Sequence, residues 1–353
     1  MNSIALIREL ASAFGPPGFE DDVLKIAKKY IPSKYNFEID SMLNLTMNNT
    51  TNKPELPTIL IDAHLDEVGL MVHSINENGT IAFTTLGEWV PNVLTAQKVV
   101  IKNLDNDFII GVVSTKPPHY AHLKDEELKI QSLSIDIGAS SKEEVQNYYK
   151  ISPACPIVPH SEFEYFDDTN IMMSKAFDCR LGCAAVLETL DIIKDLALNV
   201  NIVGALSSQE EVGMRGAKVL ASRIKPDIAI VFEGSPADDS FAASSQIQTR
   251  LKKGPMLRHI DNSMIANPRF MRFAIDIAKK NNIDLQEAVR LGGFTNAMAY
   301  SLSESATPTI VIGHPVRYAH SGNSIASLDD YKKGVALAVE IIKALNSNII
   351  SSF

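Results

Sequence analysis

The sequence predicts an α/β fold, a doubly wound and mostly parallel sheet with helices on both faces, interrupted by a small β-rich insert. Apolar strand patterns alternate with amphipathic helix patterns in the first and last parts of the chain, which is typical of parallel sheets with crossover helices. Between about residues 74 and 160 the pattern changes to short β-like segments separated by Gly, Asn, Asp and Pro. We therefore predict a main domain at 1–73 and 161–353 and an inserted domain at 74–160.

The first part of the main domain contains two predicted helices and one buried strand. An amphipathic pattern covers Ser3 to Phe14, and the breakers in GPPGFEDD precede a second helix from about Val23 to Ala27. The Asn-rich stretch at 44–57 predicts a loop or a hairpin turn. The run from Thr58 to Val72 then begins as an uninterrupted apolar strand, which indicates burial on both faces of a sheet.

The rest of the chain supplies the β segments of the insert and the helix and strand alternation of the second part. The predicted β segments of the insert are TIAFTTLG, QKVVIKN, FIIGVVST and LSIDIGA. Helices and strands then alternate along the second part of the main domain. They are the helix at 178–196, the strand at 199–208, the helix at 216–224, the strand at 227–233, the helix at 267–282, the strand at 307–315 and a last helix at 328–345.

Composition excludes some classes of partner. Of the 353 residues, 45% are hydrophobic and 21% charged, which predicts a globular protein with a sizeable core. The net charge of −9 and the absence of a basic stretch argue against nucleic acid and anionic membranes as partners. The N-terminal stretch lacks the pattern of a signal peptide, and no run reaches the roughly 18 apolar residues of a membrane span. Because three cysteines do not form a disulfide framework, we expect a reducing compartment, the cytoplasm.

Four predicted strands end at, or shortly before, side chains that can bind a metal ion. These side chains are His64, the adjacent pair Glu210 and Glu211, Glu233, and His320. In an open α/β sheet the ligand site lies outside the carboxyl ends of the strands, so we expect the side chains to converge there. Each element alone is weak evidence, because a histidine at a strand end or an acidic loop is commonly structural.

Two further carboxylates support this interpretation. Asp66 follows His64 by two positions on an extended chain, so both side chains point the same way and Asp66 can fix the tautomer of the imidazole. Asp178 begins a predicted helix, where it is either an N-cap or a carboxylate that bridges two cations. Cys179 and Cys183, one helical turn apart, fit small buried residues better than soft-metal ligands, because no second thiol pair accompanies them.

Together these residues form a ligand set for two cations. His64, Asp178, Glu211, Glu233 and His320 provide two imidazoles and three carboxylates, which suit two borderline divalent cations such as zinc or cobalt. One carboxylate must then bridge. Glu210 is left over beside Glu211 and is free to take a proton from a water molecule held between the cations.

The chain resembles the tetrahedral (TET) aminopeptidase family, which includes glutamyl and deblocking aminopeptidases and relatives labelled as endoglucanases. The stretches that carry the resemblance run through the chain in the family's order. They are IDAHLDEVGLMV, LGEWVPNVLTAQKVVI, LSIDIGASSKEEV, KAFDCRLGCAAVLE, SSQEEVGMRGA, GPMLRHIDNSMIANPRF, LGGFTNAMAYSLSESATPTIVIGHPVRYAHS and SLDDY. The resemblance implies a zinc-peptidase type of main domain with a β-barrel-like insert, and assembly into a homo-oligomer, a dodecameric tetrahedron.

The resemblance also implies roles for individual residues. His64 and Glu233 would bind one metal, Glu211 and His320 the other, and Asp178 both. Glu210 would be the general base, with Asp66 supporting His64. The implied reaction is hydrolysis of N-terminal residues from peptides with a free N-terminus.

Three positions depart from the family pattern. Glu233 stands where many members have Asp, Asn296 replaces an acid, and Cys179 stands where Asp or Asn is usual. All five ligand positions and the base still carry competent groups, so we expect activity to be retained. The alternatives are a non-catalytic shell or binding protein of the same fold, and a glycosidase with paired carboxylates.

Overall fold

The structure is a computed structural model that describes residues 1–116, 119, 128–304 and 306–353. Part of the predicted insert, 117, 118 and 120–127, lies outside the described residues. Among the described residues, no helix combines the length and the apolar character needed to cross a bilayer. The helices are α1 Ser3–Ser12, α2 Asp21–Ala27, α3 Pro91–Leu94, α4 Phe177–Ile193, α5 Arg215–Ile224, α6 Pro268–Lys280, α7 Ala297–Ser301, α8 Leu328–Ala344 and α9 Ser347–Ile350.

The strands fall into one large mixed sheet and one closed barrel. The strands of the sheet are β1 Tyr35–Ile39, β2 Leu45–Asn49, β3 Thr58–His64, β10 Glu164–Phe166, β11 Ile171–Ser174, β12 Asn201–Ser207, β13 Ile228–Pro236, β14 Met256–Ile260, β15 Gln286–Val289, β16 Thr309–Arg317 and β17 Ser324–Ser327. The strands of the barrel are β4 Gly69–Ile75, β5 Ile81–Leu86, β6 Lys98–Lys102, β7 Phe108–Val113, β8 Ile135–Asp136 and β9 Pro156–Pro159.

The centre of the sheet is parallel, as predicted. The order β12-β3-β13-β16 joins four parallel strands, with Ser207 opposite His64 and Glu233 opposite Gly313. Antiparallel strands extend both edges, β2 and β1 on one side and β17, β11 and β10 on the other. The parallel registers bring the carboxyl ends of the central strands to one edge of the sheet, where the candidate site lies.

Helices cover both faces of the central strands. Helix α4 packs against β3 and β13 together with α1 and α8, while α5 and α7 pack against each other and against β12 and β16. The central strands are almost entirely buried for this reason, and every residue of β12 is buried. Full burial of a Leu, Ile or Val side chain contributes roughly 1.5–3 kcal/mol, so this core dominates the stability of the main domain.

The insert forms a barrel with its own core. Its six strands close in the order β4-β5-β8-β7-β6-β9, and a hydrophobic cluster separate from that of the sheet fills it. The barrel strands begin at Gly69 and end at Pro159. Strand β4 thus begins a few residues before the predicted division at residues 73 and 74, and this division stays a prediction.

The Asn-rich stretch differs in part from its prediction as a loop or a hairpin turn. It contains the buried strand β2, which pairs with both β1 and β12, and a turn follows the strand. Side-chain amides bond to the backbone beside these strands, where Asn52 donates to the Ile202 carbonyl and Asn201 to the carbonyls of Lys53 and Leu56. Polar side chains whose hydrogen bonds are made in this way can be buried in a strand. The Asn-rich composition of the stretch nevertheless favours a loop.

Candidate metal centre

The predicted ligands converge at the carboxyl edge of the central strands. His64 is the last residue of β3, Glu210 and Glu211 follow β12, and Glu233 lies in β13. They open into a cleft of about 1200 Å³ between the sheet and the barrel. Its lining from the barrel side includes Thr85, Gly87, Glu88, Trp89, Val90 and Val93, and its lining from the main domain includes His64, Asp178, Glu210, Glu211, Glu233 and His320.

Two groups of ligand atoms share Asp178. His64 Nε2 lies 3.1 Å from Asp178 Oδ1 and 3.3 Å from Glu233 Oε1. His320 Nε2 lies 3.4 Å from Asp178 Oδ2 and 3.6 Å from Glu211 Oε1. The two oxygens of Asp178 thus face two different imidazoles, each with a second carboxylate beside it. This is the arrangement expected of a carboxylate that bridges two cations.

Asp178 is not the N-cap residue of α4, although the sequence left that alternative open. Ala176 precedes α4 as its N-cap residue, and Asp178 has non-helical dihedral angles within the first turn. Its carboxylate contacts His64 and His320 instead of the helix backbone. The end of β13 approaches closely, because a Cβ atom added to Gly234 would lie 2.5 Å from the Cα of Asp178. A glycine at 234 therefore lets the carboxylates of Asp178 and Glu233 lie side by side.

Backbone carbonyl oxygens orient both imidazoles. His64 Nδ1 lies 3.1 Å from the carbonyl oxygen of Asp66, and His320 Nδ1 lies 2.9 Å from that of Glu88 in the barrel. When Nδ1–H donates to a carbonyl, Nε2 carries the free lone pair and faces the cleft. The tautomer needed for metal binding at Nε2 is therefore favoured at both histidines.

The carboxylate of Asp66 holds the backbone of the two glutamates. The amide of Glu210 donates to Asp66 Oδ1 at 2.9 Å, and the amide of Glu211 donates to Asp66 Oδ2 at 3.0 Å. Asp66 Oδ1 also lies 3.5 Å from His64 Nδ1, farther than the backbone carbonyl does. The predicted support of His64 by Asp66 stays a prediction, and the amide contacts add a role that the sequence analysis missed.

Glu20 is a second residue that the sequence analysis missed. It is fully buried, and its Oε1 atom accepts hydrogen bonds from the amides of Gly18 and Gln209. Burial, followed by the nearby charge of Asp66, raises the pKa of Glu20 to about 7. In the sequence Glu20 stands before two acidic residues, a pattern typical of a helix N-terminus, so nothing there indicated a contact with the loop that carries Glu210.

The charges of the centre indicate an excess of carboxylates. Burial raises the pKa of Glu211 to about 8 and that of Glu210 well above its ordinary value, although neighbouring imidazoles oppose this. Burial opposes protonation of His320, but Glu211 and Asp178 outweigh it and raise its pKa to about 10. Without cations, protons would have to neutralise these carboxylates.

Buried carboxylate oxygens without hydrogen-bond partners also indicate a cation site. Among the described residues, Glu211 Oε1 and Glu233 Oε2 are buried oxygens without a hydrogen-bond partner. A buried carboxylate oxygen left unpaired is costly, and a cation would compensate for it. The nitrogen and oxygen donors present suit zinc or another borderline divalent cation.

Cys179, Cys183 and Asn296 lie next to the candidate ligands, whereas Cys155 belongs to the core of the barrel. All three cysteines are free and buried, which agrees with the prediction that they form no disulfide framework. Cys183 Sγ donates to the His64 carbonyl at 2.9 Å, and Cys179 Sγ donates to the Phe232 carbonyl at 3.3 Å. Asn296 donates from Nδ2 to Asp62 Oδ2 at 2.9 Å and to Ser207 Oγ at 2.7 Å, so this family departure belongs to a buried network and not to the ligand set.

A family model described as M42 glutamyl aminopeptidase matches residues 44–337, which covers most of the chain and every predicted site residue. The chain belongs to the M42 peptidase family. It is therefore a metal-dependent aminopeptidase, as the resemblance predicts. Groups of three or more potential ligand atoms lie within 4.8 Å of one another at the centre of this M42 chain.

Relatives of this M42 chain cover nearly its whole length. It is 30% identical over 348 residues to the glutamyl aminopeptidase of Lactococcus lactis subsp. cremoris, with 98% of this chain and 97% of that protein covered. The crystal structure of a TET aminopeptidase from a Thaumarchaeota archaeon matches with a TM-score of 0.94 at 34% identity and covers 99% of both chains. The TET1 peptidase of Pyrococcus horikoshii, which can assemble into a tetrahedron or a large octahedral shell, matches with a TM-score of 0.86 at 27% identity, covering 98% of this chain and 100% of that chain.

Proposed function

We propose that this M42 aminopeptidase uses two divalent cations, zinc or cobalt. His64 and Glu233 would hold one of them, Glu211 and His320 the other, and Asp178 both. The observation that carries the proposal is the position of Asp178, whose Oδ1 lies 3.1 Å from His64 Nε2 and whose Oδ2 lies 3.4 Å from His320 Nε2. The unpaired oxygens of Glu211 and Glu233 support it.

Glu210 is the proposed general base. When bound, divalent cations polarise a scissile carbonyl and make a nearby water molecule more acidic. Glu210 lines the cleft, and its Oε2 atom lies 4.0 Å from His64 Nε2, which places it beside the proposed ligands. Its carboxylate would take the proton of the attacking water and pass it to the leaving amine. Asp66 keeps the carboxylate in place through the amide of Glu210.

The carboxylates of the cleft also suit a positively charged substrate terminus. We expect a peptide with a free α-amino group to be hydrolysed roughly 10- to 100-fold more efficiently than its N-acetylated form, because acetylation removes a charged hydrogen bond worth about 1.5–3 kcal/mol. The measurement is kcat/KM for the two forms of one peptide. A peptide shortened from the carboxyl end serves as the control for length, and equal turnover of the free and blocked forms would contradict restriction to the chain end.

A guanidinium in the cleft wall favours an acidic N-terminal residue in the substrate. Arg258 is 4% exposed and lines the cleft, donating to Asp261 Oδ2 at 3.0 Å and to Ser235 Oγ at 3.1 Å. Within the described part of the chain its buried Nε has no partner. We expect glutamyl substrates to be preferred over lysyl ones, and Arg258→Met to lower kcat/KM for the glutamyl substrate roughly tenfold or more.

The comparison of substrates separates two roles of Arg258. If it recognises the substrate, Arg258→Met lowers the rate for glutamyl-nitroanilide much more than for leucyl-nitroanilide. Arg250→Met, an exposed arginine outside the cleft lining, is the control for the general loss of a charge. An equal loss for both substrates would instead assign Arg258 to the electrostatics of Glu233, because burial raises the pKa of that carboxyl and the guanidinium opposes the rise.

Assembly and localisation complete the proposal. The proposed assembly is a homo-oligomer, a dodecameric tetrahedron, and the assembly of the similar Pyrococcus horikoshii TET1 peptidase into a tetrahedron supports it. The proposed localisation is the cytoplasm, and the three free cysteines support it. No feature of the described residues supports either alternative, a glycosidase or a non-catalytic shell or binding protein of the same fold.

A further inference from the structure

We propose that Cys179 binds one of the two cations, together with His64, Asp178 and Glu233. This inference rests on the proposed function, because it adds a ligand to one cation position of the same centre. It changes the chemical character of that position, since a thiolate is a softer donor than the imidazole and carboxylates that the sequence analysis assigned to it.

The four candidate ligand atoms lie close to one another. One ligand atom from each of His64, Asp178, Cys179 and Glu233 lies within 4.8 Å of the others. Two atoms that share one zinc ion lie roughly 3.5 Å apart in tetrahedral geometry, given Zn–S and Zn–N bonds of about 2.3 and 2.1 Å. The thiol sulfur therefore lies no more than about 1.3 Å beyond this separation from each of the other three ligand atoms.

The carboxylate of Glu233, a member of the same candidate group, still has binding capacity. Glu233 is 4% exposed, and within the described part of the chain its Oε2 atom is buried without a hydrogen-bond partner. Among the described residues, the Sγ atom of Cys179 makes one hydrogen bond, which it donates to the Phe232 carbonyl at 3.3 Å, and a thiol is a weak donor. A cation at this position would satisfy Glu233 and compete with that bond for Sγ.

Cys183 provides the internal comparison. It lies one helical turn after Cys179 and is equally buried, but its Sγ donates to the His64 carbonyl at 2.9 Å. None of the candidate ligand groups found among the described residues contains Cys183. The two thiols share a helix and a degree of burial, but of the two only Cys179 belongs to a candidate ligand group among the described residues.

The consequence is a centre with two chemically different positions. The position with Cys179 would favour thiophilic ions such as zinc and cadmium, whereas the position with Glu211 and His320 has only nitrogen and oxygen donors. As the bond between Sγ and the metal forms, the S–H bond breaks and the proton leaves to solvent. Metal binding at this position therefore releases one proton more than binding without the thiol.

Cobalt spectroscopy tests the proposal on the full-length protein. The protein is freed of metal with a chelator and titrated with Co²⁺ while its near-ultraviolet absorption is recorded. We expect an intense thiolate-to-cobalt charge-transfer band in the parent and in Cys183→Ser, and no such band in Cys179→Ser. In addition, the affinity of the thiol-containing position for zinc should fall at least about tenfold in Cys179→Ser.

The outcomes separate this proposal from the dinuclear function. A parent that binds cobalt and hydrolyses peptides but has no charge-transfer band would overturn the role of Cys179 and leave the aminopeptidase mechanism standing. A band that persists in Cys179→Ser would also overturn it. The second variant is Cys179→Asp, which has the residue type usual at this position. It should bind cobalt without showing the charge-transfer band. If this variant did show the band, the proposal would be contradicted even if the serine variant failed to fold.

Discussion

Replacing Glu210 by glutamine is expected to lower kcat for an aminoacyl-nitroanilide by a factor of roughly 10²–10⁴, the usual contribution of a general base. Glutamine has nearly the same shape and keeps the backbone amide that donates to Asp66, but it cannot accept the proton of the attacking water. Because Glu210 is not one of the five proposed ligands, the variant should retain the metal content of the parent. The measurements are steady-state kinetics and metal analysis of the purified protein.

The neighbouring residue supplies the matched control. Glu211→Gln makes the same chemical change one position later, where the carboxylate lies 3.6 Å from His320 Nε2. We expect that variant to lose about one cation per subunit as well as activity. If Glu210→Gln hydrolysed the substrate as fast as the parent, Glu210 would not be the base, and if it lost a cation while Glu211→Gln kept both, the two roles would have to be exchanged.

Removal of the cations is expected to have the largest effect on activity. Treatment with a chelator should lower the rate by a factor of about 10³ or more, because the electrostatic stabilisation at stake is worth several kcal/mol. Addition of zinc or cobalt should restore it. Asp178→Asn should cause the same loss of activity, and added metal should not restore it. The variant should also have a lower affinity for both cations, since the two oxygens of Asp178 face both imidazoles.

A second buried aspartate controls for this substitution. Burial raises the pKa of Asp62 to about 7, and its carboxylate contacts Ser207 and Asn296 and belongs to none of the candidate ligand groups within the described part of the chain. An amide is therefore a close substitute, and Asp62→Asn should keep both cations. Metal content and rates of the two variants are measured together. Loss of only one cation in Asp178→Asn would contradict a bridging role.

Some elements of the fold could be predicted because their patterns are local. The apolar runs at 58–64, 201–207 and 228–233 leave no polar face, so they predict strands covered on both sides, and the structure confirms this. The outer strands β2 and β11 are short, and each pairs with a strand about 150 residues later, β2 with β12 and β11 with β17, so this pairing has no local pattern. Barrel closure likewise depends on contacts such as that of β6 with β9, more than 50 residues later.

The same distinction applies to the site. His64, Glu211 and Glu233 follow apolar strands, and parallel topology brings such positions together, so their convergence could be predicted. The bonds from Asp66 to the amides of Glu210 and Glu211 span about 144 positions and involve the backbone, which has no signature in the sequence. The position of Cys179 beside Glu233 could not be predicted either, because it depends on the packing of α4 against β13.

The contact between His320 and the barrel has a consequence for how this enzyme can diversify. His320 is oriented by the carbonyl oxygen of Glu88, an atom that every residue type carries. The loop containing Glu88, Trp89 and Val90 also lines the cleft. Mutations can therefore change the side chains of this loop, and with them the substrates accepted, while the imidazole keeps its orientation. The side chains of these few residues can therefore determine which substrates are accepted. Their main chain determines the orientation of His320 that catalysis needs.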